Sequence, residues 1–69
     1  MQITAHVAGV VTSINVQPGA RVEAGDEVVI LESMKMELPL VAPSGGTVSA
    51  VHVRQGELVQ AGQVLVVLT

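Results

Sequence analysis

The 69-residue chain contains no cysteine, phenylalanine, tyrosine or tryptophan. Without cysteine, neither a disulfide bond nor a Cys/His zinc cluster can hold the fold, which therefore depends on packing alone. Without aromatic side chains, the chain lacks the stacking surfaces that bind single-stranded nucleic acids. Its apolar residues are mainly Val, Ile and Leu, which favour β-strands over helices. These absences predict a small β domain with no metal site.

Positive charge is also scarce, with three Lys and Arg residues against six acidic residues and a formal net charge of −3. Binding to a phosphate backbone needs clustered cations, so this charge argues against nucleic-acid binding. The longest apolar run, Val64 to Leu68, has five residues, whereas a membrane helix needs about 20. No charged n-region precedes an apolar segment, so we predict no signal peptide. We expect one domain over residues 1–69, in the cytoplasm and not bound to a membrane.

The sequence contains an internal repeat, in which residues 9–32 align without a gap with residues 46–69. The offset between the copies is 37, and nine of the 24 aligned positions are identical. Two copies are too few for a solenoid, which needs at least three to bury a continuous core. They fit a sandwich with pseudo-two-fold symmetry, in which each half covers the apolar face of the other.

Each copy carries the signals of short strands and tight turns. Residues 14–16 and 51–53 both alternate apolar, polar and apolar side chains, the period of a strand with one wet face. Gln17-Pro18-Gly19-Ala20 is typical of a type II turn, because Pro presets φ and the following Gly accepts a positive φ. No segment has helical spacing over ten residues. We predict eight strands, near residues 2–6, 9–17, 21–23, 27–33, 37–41, 46–53, 58–60 and 64–68.

Lys35 is the only lysine in the chain, and it lies between Met34 and Met36, where two predicted strands meet. The equivalent run in the second copy, residues 64–69, ends the chain, so the repeat puts Lys35 at the end opposite both termini. Lysine becomes a nucleophile at neutral pH when it is buried or beside another cation. A turn with glutamates nearby offers neither condition. We interpret Lys35 as an attachment point and predict no catalytic residue.

The sequence resembles the biotinyl domains of biotin-dependent carboxylases and their small stand-alone relatives. The resemblance runs almost end to end, through VEAGDEVVILE and VQAGQVLVVLT, the ESMKME centre and the APSGGTV that follows it. AHVAG and ESMKM, in place of APMPG and EAMKM, make the chain more similar to single-domain biotin or lipoyl attachment proteins. The family's fold is a flattened all-β barrel of two sheets. We therefore expect two roughly four-stranded antiparallel sheets, with the modified lysine in an exposed hairpin turn.

The resemblance also implies a function. Lys35 would carry biotin as an amide attached by biotin protein ligase, with Met34 and Met36 as the flanking motif. Glu32 matches an acidic position associated with ligase recognition, although Glu32 and Glu37 could equally be solubilising charges at strand ends. The chain would be a biotin carboxyl carrier, a monomer in isolation, that moves carboxybiotin between biotin carboxylase and carboxyltransferase sites.

Two other functions stay open. Lipoyl domains share the fold and present a lysine in a turn, as acyl carriers of 2-oxoacid dehydrogenases or of glycine cleavage. Their turns usually read DKA or similar, which methionine on both sides of Lys35 does not match. The other is an unmodified structural adaptor, as in efflux assemblies, for which the MKM motif would serve no purpose.

Overall fold

The computed structural model describes residues 1–69, which form eight β-strands and no helix. No part of the chain is therefore a helix that could cross a membrane. Seven of the strands match the predicted positions to within two residues at either end, and the eighth, Gly9–Ile14, ends three residues before its predicted end. The strands are β1 (Gln2–Thr4), β2 (Gly9–Ile14), β3 (Arg21–Val22), β4 (Glu27–Ser33), β5 (Met36–Val41), β6 (Gly46–Val51), β7 (Leu58–Val59) and β8 (Val64–Leu68).

The strands form two four-stranded sheets, ordered β1-β8-β6-β3 and β5-β4-β2-β7. Every pairing between neighbouring strands is antiparallel. Each sheet takes strands from both copies of the repeat, because β7 joins the first copy's β2 and β3 joins the second copy's β6. The predicted all-β fold of two four-stranded antiparallel sheets is confirmed.

The structure has the pseudo-two-fold symmetry that the repeat predicts. Strands β2, β3 and β4 each begin 37 residues before β6, β7 and β8. The turn glycines agree, since Gly19 and Gly56 have φ values of 92° and 90°. Their amides donate to equivalent carbonyls of the opposite copy, Gly19 to Val48 at 2.8 Å and Gly56 to Val11 at 2.7 Å. The two halves are therefore interlocked through their turns as well as their side chains.

The core between the sheets is entirely apolar. Fifteen buried hydrophobic residues form one cluster, and no polar or charged residue is buried. Alternation along the strands supplies them, as Val11 of β2 and Val48 of β6 occupy equivalent inward positions and are almost completely buried. The members are Ile3, Ala5, Val11, Val22, Val28, Val29, Leu31, Leu40, Ala42, Val48, Val53, Val59, Leu65, Val66 and Leu68.

The strands predicted at 9–17 and 46–53 extend too far, since β2 ends at Ile14 and β6 at Val51. After β2, the Asn15 amide still donates to Val28 at 2.9 Å, but the chain then crosses to the other sheet. There the Val48 amide donates to Ala20 at 2.8 Å. The apolar alternation continues through this crossover because Val16 still packs against the core. Alternation therefore marked burial correctly but not the end of the strand.

Candidate functional site

Lys35 lies at the tip of the hairpin that joins β4 to β5. The two strands stay paired up to Ser33 and Met36, so only Met34 and Lys35 form the turn. Both have positive φ, 52° at Met34 and 65° at Lys35. Two consecutive positive φ values in a two-residue loop define a type I′ turn, whose twist matches that of the paired strands. The predicted exposed hairpin turn at Lys35 is present.

This turn is strained, because type I′ turns favour Asn-Gly and similar pairs. An L-residue with a β-carbon in the left-handed region costs roughly 1–2 kcal/mol. Apart from glycines, Met34 and Lys35 are the only residues with positive φ in the chain. The Met34 side chain is 92% exposed, so packing does not offset this cost. Backbone strain that local packing does not explain is a feature of functional sites.

The Lys35 amine has no partner within the protein. The side chain is exposed, and the single ion pair of the structure joins Arg21 and Glu23 on another strand. No group of three or more His, Cys, Asp or Glu residues lies together anywhere in the chain. The amine is therefore free to react with a group that another protein brings to it.

The base of the hairpin is held rigidly by close strand packing. Strand β4 lies inside its sheet, between β5 and β2. A β-carbon on Gly9 of β2 would lie 2.7 Å from the carbonyl oxygen of Glu32, which is closer than real β-carbons approach such atoms. Glycine at this position therefore lets β2 approach the strand that carries the hairpin. Lys35 therefore extends from a pair of hydrogen-bonded strands and not from a long loop.

The other predicted site residues surround the turn. Met36 pairs with Ser33 directly below the turn and is 62% exposed. Glu32 is exposed and lies opposite Glu37 on the outward face of the sheet. Two carboxylates directly across a strand pair repel each other, so this pairing does not stabilise the hairpin. The structure thus brings Lys35, Met34, Met36 and Glu32 into one small region, while their roles stay predictions.

The positive φ values at Met34 and Lys35 were not predicted from the sequence. The usual signal is Gly or Asn, and neither residue occurs in this turn. The available signal was the pairing register, because strands that match up to Ser33 and Met36 leave only two residues to reverse the chain.

A small β sandwich that presents one exposed, unpaired amine on a hairpin between paired strands has the geometry of a carrier domain. Comparison with known proteins agrees. The family model described as biotin-requiring enzyme, Biotin_lipoyl, matches residues 1–68. The chain therefore belongs to the biotin/lipoyl attachment family. The expectation that it is a carrier domain without catalysis of its own is confirmed by this match and by its likeness to carboxylase domains.

Individual proteins show how far the similarity extends. The biotin/lipoyl attachment protein of Bacillus subtilis is 48% identical over 42 residues, which cover 61% of this chain and 58% of that protein. The glycine cleavage system H protein of Bifidobacterium longum is 67% identical over 27 residues, 39% of this chain and 20% of that protein. The solved structure of Kluyveromyces lactis urea carboxylase superposes with a TM-score of 0.93 at 30% identity, covering 100% of this chain and 6% of the carboxylase chain. The chain thus matches less than two thirds of each of these proteins.

Proposed function

We propose that the chain is a biotin carboxyl carrier that a biotin protein ligase modifies on Lys35. The observation that carries the proposal is the position of the only lysine, exposed and unpaired at the tip of a strained two-residue turn between two methionines. The partners that we propose are the ligase, which attaches biotin, and the biotin carboxylase and carboxyltransferase sites that act on it.

The residues around Lys35 fit an amide-linked group. The amine lies outside the protein body and makes no ion pair, so converting it to an amide leaves no acidic partner unpaired. The reaction removes one positive charge, which changes the formal net charge from −3 to −4. Since no buried group loses a partner, we expect the fold to be equally stable before and after modification.

When attached, biotin would supply a site that accepts a carboxyl group in one active site and releases it in another. The contribution of the chain is positional. Paired strands hold the Lys35 backbone up to the turn, and the side chain adds a flexible four-carbon stem. A neutral amide in place of the ammonium group also lowers the desolvation cost of entering a closed active site.

Met34 and Met36 would be contact residues for the enzymes that approach the turn. At 92% and 62% exposure, neither has a role in the core. Exposed methionine side chains are flexible and polarizable, which suits a surface that several different partners bind in turn. Glu32, on the outward face at the base of the hairpin, would contribute a charge for ligase recognition.

A lipoyl carrier is the second candidate, and one observation favours it. The 67% identity over 27 residues joins this chain to a glycine cleavage system H protein, which is 20% covered. That match is shorter than the one to the Bacillus subtilis attachment protein, which spans 42 residues. Methionine on both sides of Lys35 supports biotin over lipoate.

Intact mass after enzymatic loading distinguishes the candidates. The purified chain is incubated with biotin, ATP and a biotin protein ligase, and in parallel with lipoate, ATP and a lipoate ligase. We expect the mass of one biotinyl group and a positive streptavidin blot in the first reaction, and neither in Lys35→Arg. Lipoyl addition alone would replace the proposal by the second candidate. No addition in either reaction would favour an unmodified structural role, and biotin on Lys35→Arg would disprove the site.

A further inference from the structure

Exposed apolar side chains are concentrated near the hairpin. The structure has six exposed large hydrophobic residues, of which Met34 and Met36 belong to the turn and its first pair. Two others, Val10 at 37% and Leu58 at 63% exposure, are direct cross-strand partners on β2 and β7. The hairpin motif explains the methionines, but nothing described so far explains this second pair.

The pair belongs to a row that crosses the outward face of the lysine-bearing sheet. Leu58 lies opposite Val10, Val10 lies opposite Glu32, and Glu32 lies opposite Glu37. All four side chains are exposed. Neighbouring strands are about 4.8 Å apart, so the row is a continuous strip at the base of the hairpin. Half of the strip is apolar and half is acidic.

The pseudo-symmetry provides an internal comparison for this strip. On the other sheet, the positions equivalent to Leu58 and Val10 are Arg21 and Thr47, which form the same cross-strand pair on β3 and β6. The fold thus accepts two polar residues at these places. The two apolar residues occur only on the sheet that carries Lys35, next to the modification site. Adjoining exposed apolar side chains rimmed by charged residues, as Val10 and Leu58 are beside Glu32, are typical of a contact site for another protein.

We propose that the strip formed by Leu58, Val10, Glu32 and Glu37 is a docking surface for the ligase that modifies Lys35, an inference that rests on the proposed function. The complementary surface would present an apolar side chain to Val10 and Leu58 and arginine or lysine to the two carboxylates. Charge complementarity of this kind orients partners and speeds their encounter. Because β7 has only two residues, docking uses side chains of the sheet face and not an added strand.

The ligase is the partner that requires contact at this distance from the turn. Before modification, only the four-carbon stem of Lys35 separates the reacting amine from the hairpin backbone. The loading enzyme must therefore come close to the base of the hairpin and cover the adjoining strand pairs. Enzymes that act on the far end of a loaded arm can remain further away.

The test exchanges the strip residues for those of the equivalent half. In the double variant Val10→Thr/Leu58→Arg, the new residues are those that the fold already accepts at Thr47 and Arg21. The matched control, Arg21→Leu/Thr47→Val, makes the reverse exchange on the other sheet. Leu58→Gln, which adds no charge, separates loss of apolar contact from electrostatic repulsion. Circular dichroism and thermal unfolding verify that each variant is folded.

The readout is kcat/KM for biotin transfer to the full chain by a biotin protein ligase, at saturating biotin and ATP. We expect kcat/KM to fall about tenfold or more in Val10→Thr/Leu58→Arg, the loss typical of truncated contact residues at the centre of an interface. The effect should lie mainly in KM. Leu58→Gln should lose several-fold, and the control variant should stay within about twofold of wild type.

Each other outcome has a defined meaning. If wild type is biotinylated and Val10→Thr/Leu58→Arg is modified equally well, the docking surface is refuted while the proposed function stands. The single variant Leu58→Arg is compared directly with Leu58→Gln: a loss of kcat/KM in Leu58→Arg that is absent in Leu58→Gln would show that only charge matters and would overturn apolar docking. If wild type is not biotinylated at all, the proposed function fails, and the docking surface fails with it.

Discussion

Replacing Met34-Lys35 by Asn-Gly should make the protein more stable, although it removes the lysine that we propose as the attachment site. Both residues have positive φ, at roughly 1–2 kcal/mol for each β-carbon in the left-handed region. Asn tolerates this conformation and Gly adopts it freely. The gross gain is therefore about 2–4 kcal/mol.

Two terms reduce this gain, and the structure limits both. Glycine loses more backbone entropy on folding, which costs about 0.5–1 kcal/mol. The loss of Met34 removes little buried surface, because that side chain is 92% exposed. The expected net effect of Met34→Asn/Lys35→Gly is an increase of about 1–3 kcal/mol in the free energy of unfolding. For a domain of this size, each kcal/mol raises Tm by roughly 4–8 °C.

Urea unfolding followed by far-UV circular dichroism measures this change, since the chain has no tryptophan or tyrosine to report by fluorescence. Met34→Ala is the matched control, because alanine keeps its β-carbon at positive φ and relieves no strain. Its free energy of unfolding should lie within about 0.5 kcal/mol of wild type. A double variant no more stable than this control would refute the view that the turn stores strain.

Three further predictions concern the packing and the turns of the fold. Gly9→Ala should destabilise by about 1–3 kcal/mol, because its β-carbon would meet a backbone oxygen of β4 at 2.7 Å. Gly46→Ala should cost less in the same urea titration, because its β-carbon would lie 3.0 Å from the carbonyl oxygen of Thr69, a longer approach. Leu31→Ala, at a completely buried position, should lose about 2–5 kcal/mol, and Leu31→Met less than about 1.5 kcal/mol; equal midpoints would contradict the observed core. Asp26→Ala and Gln63→Ala should each lower the free energy of unfolding by about 0.5–1.5 kcal/mol. The Asp26 carboxylate accepts from the Glu23 amide at 2.8 Å, and the Gln63 side-chain oxygen accepts from the Gln60 amide at 3.1 Å. If thermal unfolding is unchanged in both variants, these contacts add nothing to stability.

Much of the fold could be predicted because the same pattern of strands and turns occurs in both copies of the repeat. An offset of 37 places each turn glycine in register with a second one, as at Gly19 and Gly56. The prediction for Gln17-Pro18-Gly19-Ala20 is confirmed by the φ of 92° at Gly19 and by the Ala20 amide donating to Gln17 at 3.0 Å. Local chemistry determined these features, so local sequence was sufficient to find them.

Features that depend on distant contacts could not be predicted in the same way. The pairing of β7 with β2 cannot be predicted from local sequence, because it joins strands from the two different copies of the repeat. The strip at the hairpin base depends on this pairing, since it sets Leu58 beside Val10. The second copy of the repeat has Leu58 where the first copy has Arg21. This difference cannot be interpreted until the sheet order shows which residue lies beside Leu58. The candidate lysine was found from motif and symmetry, and its surroundings required the structure.

The position of the chain ends has a consequence for protein engineering. The Met1 amino group donates to the Leu68 carbonyl at 2.8 Å, and β1 and β8 are paired neighbours. By the symmetry, Thr69 and Met1 correspond to Glu32 and Leu38, between which residues 33–37 form the hairpin tip. A copy of those five residues, Ser-Met-Lys-Met-Glu, inserted between Thr69 and Met1 would close the ring, and the chain could be reopened at another turn. The product would present two amines at opposite ends of one body, and under the proposed function it would be a carrier with two attachment sites.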